Sequence, residues 1–110
     1  MKFGIALPQY GPATGDGLTA AARQAEDLGF DDVWVADHIA VPVGVPYPPS
    51  FLLESLATLA FAAAVTTRVG LGTSVLVLPL RQPVIVAKQL ATVDRLSGGR
   101  LTLGLGAGWL

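Results

Sequence analysis

An α/β fold with a parallel sheet is predicted for this chain, on three observations. Four short apolar runs alternate with three helix-like segments along the 110 residues. Each run is bounded by Gly, Pro or Asp, as buried parallel strands are. Hydrophobic residues make up 52% of the chain and charged residues only 14%, too few polar positions for a sheet with one wet face.

The first run is Phe3 to Leu7, and the second is Asp32 to Ala36, centred on Val33, Trp34 and Val35. Val69 to Leu78 is the third and Arg100 to Leu105 the fourth. Between the first two, Leu18, Ala21, Ala22, Ala25 and Leu28 recur at three- and four-residue spacing, the mark of an amphipathic helix. Asp16 is its expected N-cap; Gly29 followed by Phe30 suits a left-handed stop. A second helix is expected from near Ser50, a cap after Pro48 and Pro49, to about Thr66. It is apolar almost all round, so it is expected to pack against both the sheet and a neighbour. The third begins near Pro83, which suits a first turn, and stops at Ser97, Gly98 and Gly99. Glu26, Asp27 and Asp94 fall on the polar faces of these helices and are expected to be solvated.

Two architectures share this rhythm. A doubly wound nucleotide-binding fold carries a glycine fingerprint straight after its first strand. Pro8, Gln9, Tyr10 and Gly11 stand there instead. A TIM (β/α)₈ barrel spreads its functional residues over the C-terminal ends of several strands, and this chain does the same. A complete barrel takes about 250 residues. Residues 1–110 are therefore read as one domain, the N-terminal half of such a barrel, truncated after strand four with its first and fourth strands as open edges.

Composition removes several function classes. A net charge of -1 without a basic patch argues against nucleic acid. The absence of cysteine excludes disulfides, thiolate metal sites and a cysteine nucleophile. Met1 to Gly11 lacks the apolar core of a signal peptide, and Leu56 to Val65 falls short of the ~20 residues of a membrane span, so a cytoplasmic protein with no membrane partner is expected. No run matches a Walker phosphate loop, a zinc-binding histidine pair or a Ser-His-Asp arrangement.

Three segments can carry chemistry. Asp37 and His38 follow the second strand, and His38 is the single histidine, the side chain whose ordinary titration lies near neutrality. At a barrel mouth it can hydrogen-bond a cofactor or move a proton, with Asp37 orienting it. A loop cap beside a surface histidine accounts for the pair equally well on pattern alone. Thr73, Ser74 and Val75 in the third strand are small enough for a flat ring to approach, and Arg81 near a helix start can meet an anion; an ordinary buried strand has the same pattern. After the fourth strand, Gly106, Ala107 and Gly108 permit close backbone approach to a ligand, or simply a tight turn. The long connection from Asp37 to Pro49 has the length of a functional loop.

Four segments in order carry a resemblance over essentially the whole chain. They are Phe3-Gly4-Ile5 with Pro8, Gly29 through His38, Leu71 through Arg81, and Leu96 through Trp109. Together they resemble the bacterial-luciferase-like monooxygenase family and its coenzyme F420-dependent oxidoreductase branch. The resemblance implies hydride transfer between coenzyme F420 and a small-molecule organic substrate, with reduced FMN and monooxygenation as the alternative. It implies His38 as the catalytic residue. Asp37, His38, Thr73, Ser74, Val75, Gly106, Ala107 and Gly108 are implied to border the cofactor, with a non-proline cis peptide at Ser74-Val75. Where sugar-phosphate dehydrogenases of the family carry a Glu, this chain has Trp109, which favours an apolar or unsaturated substrate. A homodimer is expected for the full-length protein. Residues 1–110 alone are expected to lack turnover, and a non-catalytic fragment or assembly module is the remaining reading.

Overall fold

A computed structural model describes residues 1–46 and 51–109. The chain order is β1 (Gly4–Ala6), α1 (Gly15–Asp27), β2 (Asp32–Val35), α2 (Ser55–Val65), β3 (Gly70–Val77), a 3₁₀ turn (Leu78–Leu80), α3 (Pro83–Ser97) and β4 (Leu101–Gly106). All pairings are parallel and the sheet runs β1-β2-β3-β4 without reversal. Helix α1 packs on α2 and α2 on α3, so the helices form one row on one face of the sheet. A doubly wound sheet would carry helices on both faces. Consecutive strand order with one helical layer is the arrangement of three successive units of a (β/α)₈ barrel and the strand of a fourth.

The two faces of the sheet divide the work. On the helix side, Val33, Val35 and Leu71 join Leu18, Ala22, Leu59 and Ala62 in the main core. Each such side chain contributes roughly 1.5–3 kcal/mol by leaving water. On the other side, register aligns Ala6, Trp34, Gly72 and Thr102 in one row. A Cβ on Gly4 or Gly72 would collide with the Trp34 ring, so these glycines let the indole lie across the sheet. Burial on both faces, expected for every strand, holds at Leu71–Thr73 of β3, is partial in β2 and fails at the edges. Ile5 on β1 is 43% exposed and Leu105 on β4 53%, because each edge strand has a neighbour on one side only.

The strand bounds fall close to those expected, whereas two helix starts differ. Thr14, not Asp16, caps α1: its Oγ1 accepts from the Gly17 amide at 3.1 Å, and Asp16 lies inside the first turn. Helix α2 begins at Ser55, capped by Glu54, whose carboxylate accepts from the Ala57 amide at 2.7 Å. It cannot start earlier, because Phe51–Leu53 are bonded to the loop after β1 through Gly11, Tyr10 and Gln9. The expected Ser50 cap lies outside the described residues. The helix stops agree with the sequence: Gly29 takes φ +84 and Gly98 φ +73, both left-handed. Leu28, assigned to the apolar face of α1, is instead 68% exposed at its C-cap.

Two expected surface carboxylates are structural. Glu26 accepts from the amides of Thr67, Arg68 and Val69, which ties α1 to the turn before β3. Asp94 accepts from the Leu101 amide at the start of β4. Burial by itself would raise the Glu26 pKa; the three amides and the Arg100 charge outweigh it and hold the carboxyl below the ordinary glutamate range. Among the described residues, no helix is long and apolar enough to cross a membrane.

Candidate functional site

The cis peptide, the β3 bulge and the Asp37–Arg81 pair gather at the C-terminal ends of the strands. In β3 the register with β4 shifts between Thr73 and Leu76, and the Ser74–Val75 peptide within that bulge is cis, at the position expected. The bulge turns Ser74 and Val75 out to solvent, while Thr73 and Leu76 on either side stay buried. Across from it, a Cβ on Gly106 would run into the Val75 side chain, so glycine is what lets β4 pass so close.

A cavity of about 340 Å³ opens at this point. The end of β2 contributes Ala36, Asp37 and His38 to its wall, and the bulge contributes Ser74 and Val75. Gly106, Ala107, Gly108 and Trp109 close the third side. All the expected site residues therefore meet in one space, except Thr73. That residue is 1% exposed, and its hydroxyl donates to the Gly104 carbonyl at 2.8 Å while accepting from the Gly104 amide at 3.1 Å. Thr73 is a strut behind the wall rather than part of it. A second cavity of about 430 Å³, lined by Gln9, Tyr10 and Trp34 among others, shares Ala36 and Ser74 with the first.

His38 is half-buried, and its ring meets Trp109 edge to face, with centroids 6.4 Å apart and an interplanar angle of 88°. Aromatic pairs favour this geometry, which sets the ring edge of one against the face of the other. The two side chains together form the rim between the main cavity and a smaller one of about 70 Å³ that reaches Ile39 and Leu80.

Asp37 differs from what its sequence position suggests. Its side chain is 2% exposed and its oxygens are engaged by the chain itself. Oδ1 accepts from Ser55 Oγ at 2.9 Å and from an Arg81 terminal nitrogen at 2.6 Å. Oδ2 accepts from the Val77 amide at 2.9 Å and from Arg81 Nε at 3.1 Å. Arg81 also bridges to Glu54 at 2.7 Å. Burial would pull the guanidinium pKa down, but the hydrogen bonds and charges of Asp37 and Glu54 outweigh it and hold it above the ordinary arginine value. The anion that Arg81 meets is thus a pair of carboxylates from this chain.

Gln9 was not singled out in the sequence. It is fully buried, donates to the carbonyls of Ala36 at 2.9 Å and Leu53 at 3.1 Å, and accepts from the Ala36 amide at 2.7 Å. These bonds fix the backbone just before Asp37. Only its place after the first strand marked it out, since every partner is at least 27 residues away.

Residues 1–110 match the family model described as luciferase-like monooxygenase. The chain belongs to that family. Its luciferase-like relatives include an F420-dependent glucose-6-phosphate dehydrogenase of Kineococcus radiotolerans, 44% identical over 110 residues, which cover 98% of this chain and 31% of that protein. Among solved structures, the coenzyme F420-dependent tetrahydromethanopterin reductase of Methanopyrus kandleri superposes with a TM-score of 0.77 at 31% identity, covering 98% of this chain and 27% of that one. The oxygenating constituent of a 3,6-diketocamphane monooxygenase from Pseudomonas putida, in complex with FMN, gives a TM-score of 0.80 at 22% identity, covering 100% of this chain and 30% of that one, a likeness of fold. The chain thus spans about a third of the length of these proteins, in a family of oxidoreductases and monooxygenases whose members use a deazaflavin or a flavin.

Proposed function

We propose that the protein is an oxidoreductase that passes a hydride between coenzyme F420 and a small organic substrate, with the cofactor ring seated at the 340 Å³ cavity. The observation that carries this reading is the meeting of the β2 end, the β3 bulge and the glycine turn around one space. Its size falls at the lower end of the ~300–1,000 Å³ usual for small-molecule pockets. Small residues and backbone line two of its sides, which suits a flat ring better than a branched ligand.

When bound, the deazaflavin would supply the hydride donor or acceptor. The residues of this chain do the remaining work. Ser74 and Val75 would back the ring, and Gly106, Ala107 and Gly108 would border its edge. His38 stands on the rim, where its imidazole can hydrogen-bond a ring substituent or hand a proton to a substrate oxygen. Asp37 would act by holding this region in place rather than by touching the ring, since its oxygens are already engaged. Trp109 makes the substrate side of the rim apolar, which favours an apolar or unsaturated substrate over a sugar phosphate.

Reduced FMN with oxygen is the second reading, supported by the fold likeness to the FMN-bound camphane monooxygenase. Titration of the intact protein with coenzyme F420 and with FMN separates the two. Saturable binding of the deazaflavin, with substrate-dependent change at its absorbance band, is expected. Tight FMN binding without deazaflavin binding would move the protein to the monooxygenases, and binding of neither would remove the ring seat.

A further inference from the structure

We propose that Arg81 is a positioning residue: by clamping Asp37 from below the rim, it sets where His38 and the end of β3 stand relative to each other. This deepens the reading of the cavity above and rests on it for its functional consequence. The geometry itself involves this chain alone.

Three segments that share no local sequence meet on one carboxylate. Asp37 belongs to the loop after β2 and precedes His38 directly. Its oxygens hold the Val77 amide, two residues beyond the Ser74–Val75 bulge, and the Ser55 hydroxyl at the start of α2. Arg81 follows the 3₁₀ turn after β3 and reaches back to the same carboxylate with two nitrogens. A forked guanidinium on two carboxylate oxygens fixes distance and orientation together, which a single contact does not. Its side chain is only 9% exposed, so water cannot readily take its place. Arg81 also bonds Ser55 Oγ at 3.1 Å and Glu54 at 2.7 Å, which locks the start of α2 into the same cluster.

Without Arg81, Asp37 keeps one hydroxyl and one amide donor and loses its only counter-charge among the described residues. A buried carboxylate left without its counter-charge is strongly destabilised where it stands. The backbone of Asp37 is then freed, and His38 with it, while the cavity loses the fixed spacing between its β2 and β3 walls. Misplacement by a fraction of an ångström at such a wall is enough to weaken a ligand about tenfold or more.

The test uses a property of the sequence. His38 is the single histidine of residues 1–110, so comparison of the wild type with His38→Gln identifies its imidazole NMR signals. Its ring contact with Trp109 is the readout. In Arg81→Met, the His38–Trp109 ring NOE should vanish and the His38 signals should shift or broaden. Arg81→Lys, which keeps the charge but not the fork, should fall between. Val93→Ala, a buried change on α3, serves as the control that destabilises without altering the ring contact. In the same variants, deazaflavin or FMN affinity should drop about tenfold for Arg81→Met. Folded Arg81→Met with an unaltered NOE and unaltered His38 signals would overturn the proposal. Should that variant fail to fold, an unaltered His38 in Arg81→Lys would do the same. Failure of the wild type to bind either cofactor would instead count against the ring seat, and the NOE comparison would still stand.

Discussion

The two ends of the sheet use the same kinds of side chain to opposite effect. At the N-terminal ends of the strands, Arg100 donates to the carbonyls of Ala63, Thr66, Val69 and Ser97 and to Thr66 Oγ1. Glu26 there accepts from three consecutive amides. Each charged group is used chiefly to satisfy backbone at a loop. At the C-terminal ends, Arg81 is turned on another side chain, Asp37, and the space above it stays open between His38, Ser74 and the glycine turn. Both rims stabilise, but only the upper one also positions residues around a cavity. The difference teaches that a buried arginine marks a site only when its partners border a cavity; when they are carbonyls, it marks a closed joint.

If this contrast is right, changes at the two rims should separate in their effects. The largest is expected for Asp37→Ala, which leaves the buried guanidinium with Glu54 as its one remaining carboxylate and frees the Val77 amide, and should lower unfolding free energy by about 3 kcal/mol in urea titrations. His38→Ala comes next and should reduce kcat about a hundredfold. Its urea midpoint should stay within ~0.5 kcal/mol of wild type, since the ring is half-exposed. Arg100→Met at the lower rim should do the reverse, losing about 2 kcal/mol of stability while leaving cofactor affinity unchanged. A loss of affinity in that variant would erase the distinction between the rims. Removal of the α1 cap by Thr14→Ala should cost about 1 kcal/mol with no effect on binding.

The smallest effect concerns acid. The folded-state pKa of Glu26 lies below its unfolded value, so its stabilisation is fully present above the ordinary glutamate range. It should be lost as pH falls through the lowered value, because protonation releases the amides of Thr67, Arg68 and Val69. Urea midpoints measured across that window should fall less steeply for Glu26→Gln than for the wild type.

The fold was legible in the sequence to the extent that it depends on local pattern. Val33-Trp34-Val35 and the apolar residues of β3 identify themselves as buried strands and those of β4 as a strand, though not as an exposed edge, and Gly29 and Gly98 mark helix ends because a left-handed backbone suits glycine. Caps were less readable. Asp16 and Thr14 are both good capping residues two positions apart, and only the extended backbone at Thr14 decides between them. The start of α2 was hidden because it is set by bonds from Phe51 and Leu53 to the loop after β1, some forty residues earlier.

The site was legible by a different route. Residue pattern placed Asp37, His38 and the glycine turn at strand ends, and family resemblance placed the cis bond at Ser74–Val75. Neither showed that Asp37 is closed off by Arg81, that Thr73 faces Gly104, or that Gln9 clamps Ala36. Those facts depend on contacts between residues 27 to 44 positions apart, which no periodicity encodes.

Amide chemical shifts followed through a titration with coenzyme F420, and separately with FMN, test the division between the rims most directly. Perturbations are expected at residues 36–38, 74–77 and 106–108, with the amides of Thr67, Arg68, Val69 and Arg100 unmoved. Perturbations centred on that lower group, with the upper residues silent, would contradict the account.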